Sequence, residues 1–131
     1  MESNQKRSSK ALGAQGEHIV YEHLQASGWK LLERNYRCSA GEIDIIAEQT
    51  AEHGPVIVFV EVKLRRTGAH GSGLEAIDER KRLRLAAVAA HYLGSIQAGG
   101  YEPACRFDVA VVTPTRDGLL SVVLHSGVFT A

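Results

Sequence analysis

The chain has 131 residues, with Lys+Arg 15 balanced by Asp+Glu 15. That length suits one domain with a real core, and 44% hydrophobic with 23% charged residues is an ordinary globular balance, not a disordered one. The zero formal charge gives no support to a bulk electrostatic nucleic-acid binder, while leaving room for a local basic patch, and no apolar run approaches the ~20 residues of a membrane span. Residues 1–10 are polar and read as a flexible, solvated N-terminal tail or a basic arm, leaving 11–131 as a single domain. They contain no apolar signal-peptide core, and Cys38 and Cys105 have no metal-ligand spacing, so a reducing, cytoplasmic setting without membrane association is expected.

Apolar periodicity opens with Leu12, Gly16, Ile19, Val20, His23 and Leu24 on one side of a helix over about 10–27, stopped by Ser27-Gly28. Trp29–Tyr36, Ile43–Ala47 and Val56–Val62 read as strands, the last two forming a hairpin with a loop of about eight residues. Residues 64–73 are basic and Gly-rich, hence a loop. A second helix over about 74–97 buries Ile77, Leu85, Val88, Ala89, Tyr92 and Ile96. Arg106–Val112 and Leu119–Leu124 are further strands, with a turn at Pro114–Gly118. The order α-β-β-β-α-β-β implies an α/β domain, a central mixed β-sheet flanked by α-helices. The near-continuous apolar runs of the middle strands imply helices on both faces.

Charged side chains inside such strands need a reason. Asp44 interrupts EIDIIA, and Glu61 and Lys63 interrupt VFVEVK. In an antiparallel hairpin that sets Ile46 opposite Phe59, Asp44 stands opposite Glu61 and Glu42 opposite Lys63. Two facing carboxylates repel unless a proton or cation sits between them. Glu17 lies at the edge of the first helix's apolar stripe and can reach this cluster, whereas Glu22 faces solvent. Lys81 lies within the second helix's stripe, either snorkelling or aimed at a polar group. Each residue has an ordinary reading: a solvated helix acid, an exposed strand face, a polar edge strand. The combination of two acids and a lysine on adjacent apolar strands is the specific signal.

Asp44…Glu61-Val62-Lys63 resembles the PD-(D/E)xK nuclease superfamily, with Ile43 standing where a proline usually precedes the first acid. GEHIVYEHLQASGW, RNYRCSAGEIDIIA, VFVEVKLRR, ERKRLRLAAVAAHYL and RFDVAVV resemble, in order, the YraN family, which is similar to archaeal Holliday-junction resolvases. The resemblance covers roughly residues 12–112. It implies a restriction-endonuclease-like fold and a metal-dependent nuclease acting on branched or structured DNA. It also implies Asp44, Glu61 and Lys63 as catalytic residues, and Mg²⁺ or Mn²⁺ held by Glu17, Asp44, Glu61 and the Val62 carbonyl. Lys81 falls where related nucleases place a residue toward the scissile phosphate. Glu42 would pair with Lys63 or stand just outside the metal shell, and Asp108 would be structural.

The residue types suit that chemistry. Carboxylate oxygens match hard divalent ions, which polarise phosphate and acidify water. Lys63 would orient the water or stabilise developing charge. Residues 63–84 hold seven basic and three acidic side chains, a net of +4. Within them Arg65 and Arg66, in the glycine-containing loop, are candidate nucleic-acid contacts. The GAHGSG run matches neither a P-loop nor GxGxxG, and no HExxH is present. Two other classes stay open: a non-catalytic nucleic-acid-binding module, and an assembly subunit or homodimer using Leu83 and Leu93 as exposed contacts.

Overall fold

The computed structural model describes residues 2–65, 77–97 and 103–129, with side chains from Leu12 onward. Helix α1 (Glu2–Ala26) leads into strands β1 (Lys30–Cys38), β2 (Gly41–Ala51) and β3 (Gly54–Leu64). Helix α2 (Glu79–Ile96) then leads to β4 (Ala104–Pro114) and β5 (Leu120–Phe129). The five strands form one sheet in the order β1-β2-β3-β4-β5, antiparallel except for the parallel β3–β4 pair. The architecture is therefore α/β with a mixed sheet and two helices.

Side-chain alternation divides the middle strands into two apolar faces. Val20 and Leu24 of α1 pack with Ile45, Ala47, Val58, Val60, Ala110 and Val112. On the other face Leu85, Val88, Ala89 and Tyr92 of α2 pack with Ile46, Ile57, Phe59 and Phe107. This is why β2, β3 and β4 read as continuous apolar runs: both of their faces are covered. On the α2 face, Phe59 stacks on Phe107 (5.4 Å between centroids) and Phe107 on Phe129 (4.5 Å), which carries the core across to β5. Arg34 lies over the Tyr21 ring at 4.7 Å and fastens α1 to the edge strand β1.

Several boundaries depart from the sequence expectation. Helix α1 begins at Glu2, not near residue 10. The added segment contains helix-compatible polar residues and no Pro or Gly, so it propagates a helix without an apolar period to reveal it. His23 is exposed rather than part of the buried stripe. The β2–β3 connection is a two-residue turn at residues 52–53, not an eight-residue loop, because Glu48, Gln49 and Thr50 continue the ladder against Ile57, Val56 and Pro55. Backbone pairing does not require apolar side chains, so the strands outlast their hydrophobic pattern. Helix α2 starts at Glu79, where the Asp78 carboxylate accepts a 2.9 Å hydrogen bond from the Lys81 amide and caps the first turn. Ile77 therefore precedes the helix, although it still packs against the core. Leu83 is exposed, whereas Leu93 is only partly exposed and packs against the α2-side core.

Strand β5 runs to Phe129, five residues past the expected end at Leu124. The cause is Asp108, which is buried (1% exposed). Arg106 donates to both its oxygens (Nε at 2.9 Å, Nη2 at 3.1 Å), and the Gly127 amide and Ser126 hydroxyl complete its partners at 3.0 and 3.3 Å. The β4–β5 register shifts at this point, between Phe107 and Val109, so the carboxylate ties down a bulge. Asp108 thus has the structural role expected of it. Among the described residues no helix is long and apolar enough to cross a membrane.

Candidate metal and phosphate cleft

The β2–β3 ladder pairs Ile46 with Phe59 and ends at Ile45 with Val60. Asp44 and Glu61 are the next residues along each strand, beyond the regular pairing but near enough for their charges to couple. The Asp44 side chain takes over one backbone partner, its Oδ2 accepting from the Val62 amide at 2.7 Å. The strands part beyond this bond, and a cleft of about 630 Å³ opens between their ends and α2. It is lined by Arg37, Cys38, Gly41, Glu42, Asp44, Glu61, Lys81, Arg84 and Leu85.

The acids in and beside this cleft feel one another. Burial, then the charge of Glu61, pushes Asp44 up to about 7; the Val62 hydrogen bond pulls the other way, and Glu17 and Glu42 add to the rise. Glu17 is also raised, by burial and then by Glu42 and Glu61, against the lowering effect of Arg34. The first helix therefore delivers its acid into the field of the cluster, while Glu22 pairs with His18 (2.6 Å) on the solvent side. Two cations answer the acids. Lys81 Nζ stands 2.7 Å from Glu61 Oε1, and Arg37 Nε stands 3.2 Å from Glu42 Oε2. Lys81 is thus aimed at a carboxylate and is not merely snorkelling. Glu42 is engaged by Arg37 of β1, not by Lys63.

The sequence-derived residues are only partly gathered. Asp44, Glu61 and Lys81 share the cleft, and Glu17 is coupled to it electrostatically. Lys63 is half-buried on β3, opposite Val111, and is not among the cleft-lining residues. The Val62 amide, rather than its carbonyl, contacts Asp44. Arg65 donates its amide to the Val112 carbonyl at 2.8 Å, and its Nη2 is shielded from solvent. Arg66 lies outside the described residues. Arg37 and Arg84 were not singled out from the sequence. Arg84 could have been, since it follows Lys81 by three positions and shares that side of α2.

The donor chemistry suits a hard divalent ion that needs one or two carboxylates and otherwise keeps its waters. Among the described residues no three His, Cys, Asp or Glu side chains stand as a ready-made cage. Asp44 and Glu61 are the pair a cation would relieve, and Lys81 occupies Glu61 in the conformation seen. Both cysteines are free thiols.

A family model described as "Uncharacterised protein family UPF0102" matches residues 16–112, in keeping with the motifs read from the sequence. A UPF0102 protein of Symbiobacterium thermophilum is 43% identical over 94% of this chain and 99% of its own length. One of Moorella thermoacetica is 49% identical over 76% of this chain and 78% of its own. One of Parafrankia sp. is 40% identical over 94% and 99%. Among solved structures, Pyrococcus furiosus SfsA in complex with Ca²⁺ is similar at a TM-score of 0.29 and 11% identity, covering 93% of this chain and 63% of that one, a likeness too distant to assign a fold.

Proposed function

The chain belongs to the uncharacterised protein family UPF0102, and from that premise we propose that it is a metal-dependent nuclease of restriction-endonuclease-like PD-(D/E)xK fold, hydrolysing phosphodiester bonds in branched or structured DNA. The observation that carries this reading is the Asp44–Glu61 pair. Two neighbouring carboxylates at a cleft, one of them pushed up to about 7 by burial and by the other's charge, are the mark of a candidate functional site. Mg²⁺ or Mn²⁺ is the fitting relief, with Asp44 and Glu61 as principal ligands and the Val62 carbonyl and Glu17 at the margin. When bound, such an ion polarises a phosphate and makes water more acidic.

The protein's own groups have separable tasks. The Val62 amide fixes the Asp44 carboxylate, so its orientation is set before any ligand arrives. Lys81, on leaving Glu61, is free to turn to a phosphate oxygen. Lys63, two residues beyond Glu61, supplies a positive charge to the developing transition state. A cytoplasmic, reducing setting belongs to the same reading and accords with two unpaired cysteines.

A direct test incubates the full chain and Mn²⁺ or Mg²⁺ with a four-way junction, a flap, a nicked duplex and a single strand. Cleavage of at least one substrate is expected, with Asp44→Asn and Glu61→Gln each lowering it by about 100-fold or more. No cleavage by the wild type, or undiminished cleavage by both variants, overturns the reading. A non-catalytic DNA-binding module is the second reading. The Lys81–Glu61 ion pair favours it, because the second acid already has a counter-charge. Tight junction binding without cleavage would be its mark.

A further inference from the structure

Three basic side chains line the cleft, and they differ in how their charge is answered. Arg37 pairs with Glu42 and Lys81 pairs with Glu61. Arg84 makes no ion pair among the described residues, although Glu42, Asp44 and Glu61 line the same cavity. It is nonetheless seated. Its aliphatic stem lies across Gly41, where an added Cβ would stand 3.1 Å from both its Cγ and its Cδ, and 3.4 Å from Val88 Cγ2. Gly41 also has φ +144, a conformation that side chains rarely adopt. Glycine at the β1–β2 turn therefore serves two ends: it permits the backbone path and it leaves room for the arginine.

A cation with its stem positioned and its guanidinium exposed has lost part of its rotamer freedom before any ligand arrives, which lowers the entropy cost of binding. The planar donor fork matches a phosphate's oxygens better than an ammonium does. We propose that Arg84, seated on Gly41, is a phosphate-binding residue of this cleft, gripping a nucleic-acid backbone phosphate beside the Asp44–Glu61 pair. The identity of the ligand as nucleic acid rests on the nuclease reading above; the seat of the arginine does not. Arg84 is a contact distinct from Arg65, whose Nη2 is shielded from solvent.

The test is fluorescence anisotropy of a labelled four-way junction with the full chain in EDTA, repeated over a range of salt. Arg84→Ala should weaken binding about five- to tenfold and reduce the slope of log affinity against log salt by about 1. Arg84→Lys should recover part of the loss. Arg80→Ala, an exposed arginine of α2 that does not line the cleft, should cost less than about twofold. Equal losses from Arg80→Ala and Arg84→Ala would mean a diffuse field instead of a site and would overturn the proposal. So would wild-type affinity and slope in Arg84→Ala, with the nuclease reading left standing. Absence of junction binding by the wild type would overturn the proposal, while the nuclease reading is decided separately by the cleavage test with metal.

Discussion

Two aspartates on neighbouring parts of the sheet show what burial costs and how it is met. Asp108 is 1% exposed, yet it receives both nitrogens of an arginine fork, a backbone amide and a hydroxyl. Asp44 is half-buried and receives one backbone amide, while Glu61, Glu17 and Glu42 press on it with charge of the same sign. The first arrangement is complete and needs nothing more. The second is short of positive charge by construction. A fully answered acid holds the fold together, whereas an unanswered one invites a ligand.

The sharpest way to break this comparison is to remove each carboxylate and measure chemical unfolding. Asp108→Ala should destabilise by about 3 kcal/mol, at the low end for a buried pair because Arg106 keeps some access to water. Asp44→Asn should leave metal-free stability unchanged or raised, since it removes a charge the fold disfavours. A loss at position 44 as large as that at 108 would erase the distinction.

A smaller effect should appear with pH. The folded protein holds the Asp44 proton up to about 7, above the ordinary 3.8, so between those values the native state binds more protons than the unfolded one. Stability contributed by this group is therefore present below pH about 4 and declines as pH rises toward 7, by a few kcal/mol at most. Denaturant midpoints of wild type and Asp44→Asn across pH 4–8 without metal should diverge in that direction. A flat difference would mean that the carboxylate is relieved by something within the chain.

The smallest effect concerns Lys81, the internal counter-charge. If it competes with a cation for Glu61, Lys81→Met should tighten Mn²⁺ binding by about tenfold, or roughly 1.4 kcal/mol, in isothermal calorimetry. Weakened binding in Lys81→Met would show that the lysine supports the ion.

Much of the comparison was legible in the sequence. The hairpin register followed from two apolar runs, because a shift of one residue would turn every Ile and Val to the wrong face. That register brought Asp44 to Glu61, and the wheel position of Glu17 separated it from the solvent-facing Glu22. What remained hidden depended on groups without a sequence period. The two-residue turn was masked by polar ladder residues, the continuation of β5 to Phe129 is held by hydrogen bonds to Asp108, and Leu93 packs against the core although it lies off the main stripe.

By itself, then, the sequence determined the family, the succession of helices and strands, and the acids that share a site, since all of these rest on local periodicity and on spacing along two adjacent strands. Only the tertiary structure decided which cation answers which acid. Arg37 and Lys81 come from a neighbouring strand and a helix that is distant in sequence, and their ion pairs depend on side-chain directions fixed by packing. The seat of Arg84 on Gly41 joins residues 43 positions apart. No pattern along the chain encodes a contact that exists only once α2 lies across the end of the β1–β2 turn.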